Sequence, residues 1–182
     1  MAKFYHIDRT NFLNTLLDNG IKDINLKIYN DITCINANLP LQEIVSEMFP
    51  EGVSSHGNAY FLNKPYLPVT SADIELTFEL VRRYKYPNKI SRFQSFFAID
   101  KDMLVPMLHR LQSELATINI YEVESEIYSK HDMNLLIKGD NLVSVALANL
   151  YWEGKSIGEP LYEYLLKPPV RILRKVPISE LI

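Results

Sequence analysis

Ser91-Arg92-Phe93-Gln94-Ser95-Phe96-Phe97-Ala98 joins a basic residue, two hydroxyls and three aromatic rings in one short stretch. Its apolar content reads as part of a buried strand running from Arg92 to Ile99, and polar groups in such a strand need partners. A ligand is one source of them. Two other segments fit the same plan: an opening strand Phe4-Tyr5-His6-Ile7 and a late strand Tyr162-Glu163-Tyr164-Leu165-Leu166. Together the three supply a histidine, a serine/aromatic strand and a glutamate.

Working outward, Thr10 is positioned to cap a helix that carries Phe12, Leu13, Leu16 and Leu17 on one face and stops at Gly20. Ile21 to Ile35 reads as extended structure with a turn at Asn30-Asp31, and Leu41 to Phe49 as a short helix stopped by Pro50. Glu51 to Pro68, rich in Gly, Ser, Asn and Pro, reads as a long surface loop. Ser71 opens the next helix, with Asp73 and Glu75 in the dipole-favoured first turn, Arg82, Arg83 and Lys85 near its end, and Pro87 closing it. A helix from Asp102 to Leu115 contains Pro106. Thr117 to Ile127 alternates as a strand, with Ile118, Ile120, Glu122, Glu124 and Glu126 on one parity and Tyr121, Val123 and Ile127 on the other. Asp140 caps an almost wholly apolar helix through Trp152, read as buried and ended by Gly154, and strands follow at Leu161 to Lys167 and Val170 to Val176. Strands and helices mix without the strict alternation of a doubly wound sheet. The expected fold is therefore α+β, one domain over residues 1–182, with split antiparallel sheets flanked by helices.

At 182 residues, 47% hydrophobic and 23% charged, the chain can bury its own core. The longest apolar run, Leu142 to Trp152, is far short of the roughly 20 residues a membrane span needs. No signal-peptide apolar region follows Met1-Ala2-Lys3, so a cytoplasmic location is expected. The single cysteine, Cys34, excludes an internal disulfide and a thiolate-rich metal site. His6, His56, His109 and His131 lack metal-ligand spacing, so no metal is expected, and His131-Asp132 reads as surface loop. GxxxxGK[ST], GxGxxG and GxSxG are all missing, which argues against glycine-loop phosphate binding. A net charge of −3 argues against a general polyanion surface. Arg82, Arg83, Lys85, Lys89 and Arg92 nonetheless alternate with Tyr84, Tyr86 and Phe93 without an intervening acid. That pattern suits phosphates and stacked bases, or equally a solvated helix end followed by a loop.

Glu163 is the acid to single out. In a strand it shares a face with Leu161 and Leu165, while Tyr162, Tyr164 and Leu166 fill the other, so its carboxylate loses hydration unless it gains a partner. The alternative is an exposed position on an edge strand. Glu122, Glu124 and Glu126 read instead as a solvated face.

Tyr5-His6-Ile7-Asp8-Arg9-Thr10-Asn11-Phe12-Leu13 with Asn19-Gly20-Ile21, then Ser95-Phe96-Phe97-Ala98-Ile99-Asp100, then Glu163-Tyr164-Leu165-Leu166-Lys167-Pro168-Pro169, resemble in order and spacing the three signature segments of ADP-ribosyltransferase domains. The resemblance implies an NAD-dependent ADP-ribosyltransferase with NAD as substrate. Glu163 would be the catalytic residue bonding the ribose 2′-hydroxyl, His6 would hold the adenosine ribose or orient the nicotinamide side, and Ser95 and Phe97 would line the nicotinamide pocket. Arg9 or Arg92 would neutralise the pyrophosphate. It implies a macromolecular acceptor, protein or single-stranded nucleic acid, in a bacterial or phage-related toxin, effector or defence factor with an antitoxin or other regulatory partner. Leu161 stands where arginine-modifying members carry a second acid, so arginine is disfavoured as acceptor. Phe96 and Phe97 replace the family's tyrosine pair, with Tyr60 or Tyr66 as substitutes from the loop. NAD glycohydrolysis on the same site and a noncatalytic interaction module with the same fold are the alternatives.

Overall fold

The computed structural model describes residues 1–28, 40–62, 69–111, 117–137 and 139–181, leaving aside the side chains of 69–71. The expected turn at Asn30-Asp31, Cys34, Tyr66 and the end of the helix read to Leu115 lie outside the described residues. The strands are β1 (Ala2–Asp8), β2 (Asp23–Ile24), β3 (Phe96–Ala98), β4 (Asn119–Ser125), β5 (Tyr128–Asp132), β6 (Tyr162–Leu166) and β7 (Val170–Val176). The helices are α1 (Phe12–Asp18), α2 (Leu41–Met48), α3 (Ser55–Tyr60), α4 (Val69–Lys85), α5 (Lys101–Arg110) and α6 (Asn141–Glu153).

Among the described residues these strands form two antiparallel sheets, one in the order β1-β4-β7-β2 and the other β3-β6-β5, so the fold is α+β. They touch where Tyr5 of β1 and Ile99, just past β3, exchange both backbone hydrogen bonds at 2.8 Å. Period-two alternation along β4 sends Tyr121 and Val123, with Phe4 of β1, toward Leu13 of α1 and Ile120 toward Leu104 and Leu108 of α5, while a register shift between Glu122 and Val123 lets Ile172 and Val176 of β7, equal in parity, join the first and the second layer. A further core joins Phe78 of α4 and Leu147, Tyr151 and Trp152 of α6 to Leu165 of β6. Glu122 stays on the wetter face and pairs with Lys3 at 3.1 Å and Arg174 at 2.9 Å. Among the described residues no helix is long and apolar enough to cross a membrane.

Several local expectations are corrected. Thr10 does not cap α1; the buried Asp8 carboxylate does, accepting from Thr10 N at 2.9 Å, Thr10 Oγ1 at 3.0 Å and Leu13 N at 2.7 Å. Gly20 does close α1, with φ +73° and Ile21 N bonded back to Leu16 O at 2.9 Å. The supposed loop from Glu51 contains α3, capped by Ser54, whose Oγ accepts from Gly57 N at 3.2 Å. Arg92 to Gln94 is a turn of 3₁₀ helix rather than strand. There the serine hydroxyls compete with a sheet ladder: Ser91 Oγ accepts from Phe93 N at 3.2 Å and Ser95 Oγ donates to Ser91 O at 2.6 Å. Glu75 is not a solvated dipole partner but is buried. The capped helix α6 is not buried all round, since Leu142 is 79% exposed and Val143 and Val145 are exposed too.

Candidate functional site

The contact between the two sheets opens a cleft of two adjoining cavities, about 410 and 380 Å³, that share His6, Ile7, Arg9, His56 and Phe97 as walls. Glu163 lines the first, and Asp8, Thr10 and Ser95 line the second.

Glu163 sits on β6, the central strand of its sheet, and is 4% exposed, so the edge-strand alternative does not hold. Its Oε1 accepts from Tyr151 Oη at 2.8 Å and from Arg92 Nη1. Both bonds fall on one oxygen; among the described residues Oε2 takes none, which leaves it for the cavity.

Arg92 is expected at a pyrophosphate, and the structure places it elsewhere. It lines neither cavity, is 3% exposed, and makes a bidentate fork on Glu75, Nε to Oε2 at 2.8 Å and Nη2 to Oε1 at 2.9 Å. Nη1 is shared by Tyr151 and Glu163. The physical reason is charge: a buried guanidinium must be paired, and two carboxylates from α4 and β6 pair it. Burial works against the charged forms, but the Glu163 and Glu75 charges outweigh it and raise the Arg92 pKa, just as Arg92, then His56, hold the Glu75 carboxyl far below its usual range. Burial likewise pushes the Tyr151 hydroxyl well up, against the pull of Arg92. Tyr151 therefore stays protonated and remains a donor to Glu163.

His131, read as surface loop, is 1% exposed on β5 directly opposite Glu163 in the ladder. Its Nδ1 donates to Tyr151 O at 2.7 Å and its Nε2 accepts from Ser129 Oγ at 2.9 Å, which fixes one neutral tautomer. Burial lowers its pKa to about 4. The ring stacks on Tyr151 at 4.3 Å between centroids, so it braces the tyrosine that holds Glu163.

His6 Nδ1 lies 2.7 Å from Phe97 O, and because a carbonyl only accepts, that nitrogen carries the proton. Burial draws the His6 pKa down. Its Nε2 is thus a hydrogen-bond acceptor on a side chain that walls both cavities. Phe97 walls both as well and covers the Arg92 guanidinium at 4.8 Å. Ser95 reaches the cleft, but its hydroxyl proton is spent on Ser91 O. Arg9 walls both cavities and is exposed, which makes it the cation at the mouth.

The basic stretch does not form a surface stripe. Arg82, 8% exposed, and Arg83 both bond Glu79, at 2.7 and 2.8 Å, and Arg82 also holds Pro87 O and Lys89 O. Three site residues escape a sequence reading. His56 looks like loop, Glu75 like a dipole partner and Tyr151 like apolar filler. The usable signal is Tyr151, whose hydroxyl inside an apolar helix has to find a partner. Tyr60 stacks on His56 at 4.4 Å. Among the described residues no group of three or more His, Cys, Asp or Glu side chains is arranged to hold a metal ion.

These features define an α+β protein with two antiparallel sheets meeting over a cleft that holds a buried, partnered glutamate. The chain belongs to the family described as "Protein of unknown function (DUF2441)", whose profile matches residues 4–178. No curated protein matches the chain.

Proposed function

We propose that the protein is an NAD-dependent ADP-ribosyltransferase, with the split sheets arranged as in that superfamily. The observation that carries this is that His6, Phe97 and Glu163, from the three segments that carry the resemblance, wall one cavity. Breaking the nicotinamide–ribose bond builds positive charge on the sugar, and a fixed carboxylate beneath it stabilises the transition state more than the ground state. Glu163 supplies that carboxylate, held by Tyr151 and Arg92, with Oε2 left for the ribose 2′-hydroxyl. His6 Nε2 accepts a second ribose hydroxyl, Phe97 packs the nicotinamide and Arg9 meets the pyrophosphate. Arg92 serves by fixing Glu163.

The acceptor is a macromolecule, and the protein acts in the cytosol as a toxin, effector or defence factor under a regulatory partner. Burial of Arg82 and Arg92 and the pairing of Arg83 with Glu79 reduce the exposed cations of the basic stretch chiefly to Lys85 and Lys89, which favours a protein acceptor.

Purified protein is incubated with labelled NAD and, separately, cell lysate, total RNA and single-stranded DNA. Label moving to protein supports the reading, and label moving to nucleic acid supports transfer while replacing the acceptor. Nicotinamide release without transfer supports hydrolysis, and no turnover with no NAD binding leaves the interaction module.

A further inference from the structure

His56 is a titratable group in the cleft to which the transferase reading gives no task. It enters from α3, whose position is fixed: Ser54 N and Oγ both bond Phe93 O, at 2.8 and 3.1 Å, and a Cβ on Gly57 would lie 2.2 Å from that same carbonyl. The His56 ring packs on Phe97 at 4.6 Å and on Tyr60 at 4.4 Å. Its Nε2 is buried and lies 3.2 Å from Glu75 Oε1, in ion-pair reach but off the line of a hydrogen bond. Such bonds often align only when substrate closes the site. A carboxylate beside Nε2 keeps the proton there and leaves the Nδ1 lone pair as the basic position, the logic of an oriented histidine base.

We propose that His56, oriented by Glu75, is the general base that takes the proton of an O–H nucleophile as it attacks the ribose carbon above Glu163. The inference rests on the NAD-cleaving reading. Other basic groups of the cleft have tasks in that reading: Asp8 caps α1, His6 is held through Nδ1 by Phe97 O with its Nε2 given to a ribose hydroxyl, and Glu163 is needed as an anion. In the step, the bond between ribose C1′ and the nicotinamide nitrogen breaks and its electron pair stays with the ring, which leaves neutral. The nucleophile's oxygen bonds C1′, and its proton passes to His56 Nδ1 and on to solvent. Glu75 is a positioning residue, and through Arg92 the same carboxylate steadies Glu163.

The test follows nicotinamide release by the full chain from NAD, with water and with methanol as the O–H nucleophile. His56→Gln should slow both reactions by about 100-fold in a chain that stays folded and still binds NAD, and imidazole added to His56→Ala should restore part of the rate. A rescued rate cannot come from a folding defect. Wild-type turnover in His56→Gln beside an inactive Glu163→Gln overturns the base alone, as does a loss that imidazole leaves untouched. A native chain that never consumes NAD overturns this inference together with the reading beneath it.

Discussion

Tyr5 and Ile99 exchange two backbone hydrogen bonds, each 2.8 Å, across the gap between the two sheets. One residue after Tyr5 stands His6, and two residues before Ile99 stands Phe97, whose carbonyl accepts the His6 Nδ1 proton at 2.7 Å. Because β3 pairs with β6, the same junction places Glu163 in the wall that His6 and Phe97 share. The cleft is thus a product of strand register, which places His6, Phe97 and Glu163 before any ligand arrives.

Arg92→Ala should strip the shared cation from Glu75 and Glu163, and breaking a buried pair in this way costs about 3–5 kcal/mol. The midpoint of urea unfolding should fall accordingly, and kcat should fall with little change in NAD Kd. Arg92→Lys should recover only part of either, since an ammonium lacks the fork that grips Glu75. An unchanged midpoint with weakened NAD binding would return Arg92 to the pyrophosphate.

Gly57→Ala should destabilise the protein by about 3 kcal/mol, because the new methyl meets the Phe93 carbonyl at 2.2 Å and Val53 Cβ at 2.9 Å, and backbone cannot yield cheaply. Equilibrium unfolding checks this. A neutral effect would mean that α3 is not docked where it is described.

The buried histidines give a pH window. His131 titrates at about 4 when folded against 6.5 when unfolded, so the unfolded chain takes up its proton first. The stability this contributes is full above pH 6.5 and is lost as pH falls toward 4, in total roughly 3 kcal/mol. His6, lowered in the same direction, adds to the slope. Asp8 and Glu75 act in a lower window: their carboxyls are depressed, so their contributions fade only as pH drops below the ordinary 3.8 and 4.5. Urea unfolding at pH 7 and pH 5 should show the loss, and His131→Gln should flatten it; equal slopes in both proteins would remove His131 as its source.

The sequence made the framework legible where local chemistry acts alone. Gly20 and Gly154 in left-handed backbone, Asp140 at its cap, and the strand around Glu163 are decided by neighbours within a few residues. It misled where a long-range partner decides. Glu75 and Arg92 are 17 residues apart and Arg92 and Glu163 are 71 apart, and nothing in helical or strand periodicity reports that a surface-looking charge will be buried against another. Glu79 pairs Arg82 and Arg83 from just outside the basic stretch, which takes two of its cations out of an apparent phosphate-binding surface. His56 was hidden by composition, since Gly, Ser and Asn mark loops on average, but here Ser54 supplies a cap and Gly57 a close approach.

Glu163→Gln is the decisive variant, because it keeps the shape and the Tyr151 contact while removing the charge on which the chemistry depends. Nicotinamide release from NAD by the native and variant proteins, with NAD binding measured alongside, tests it directly. The account predicts turnover in the native protein and a loss of at least about 100-fold in the variant, with a folded chain that still binds NAD. Native-level release by Glu163→Gln, or no NAD turnover by the native protein, would contradict it.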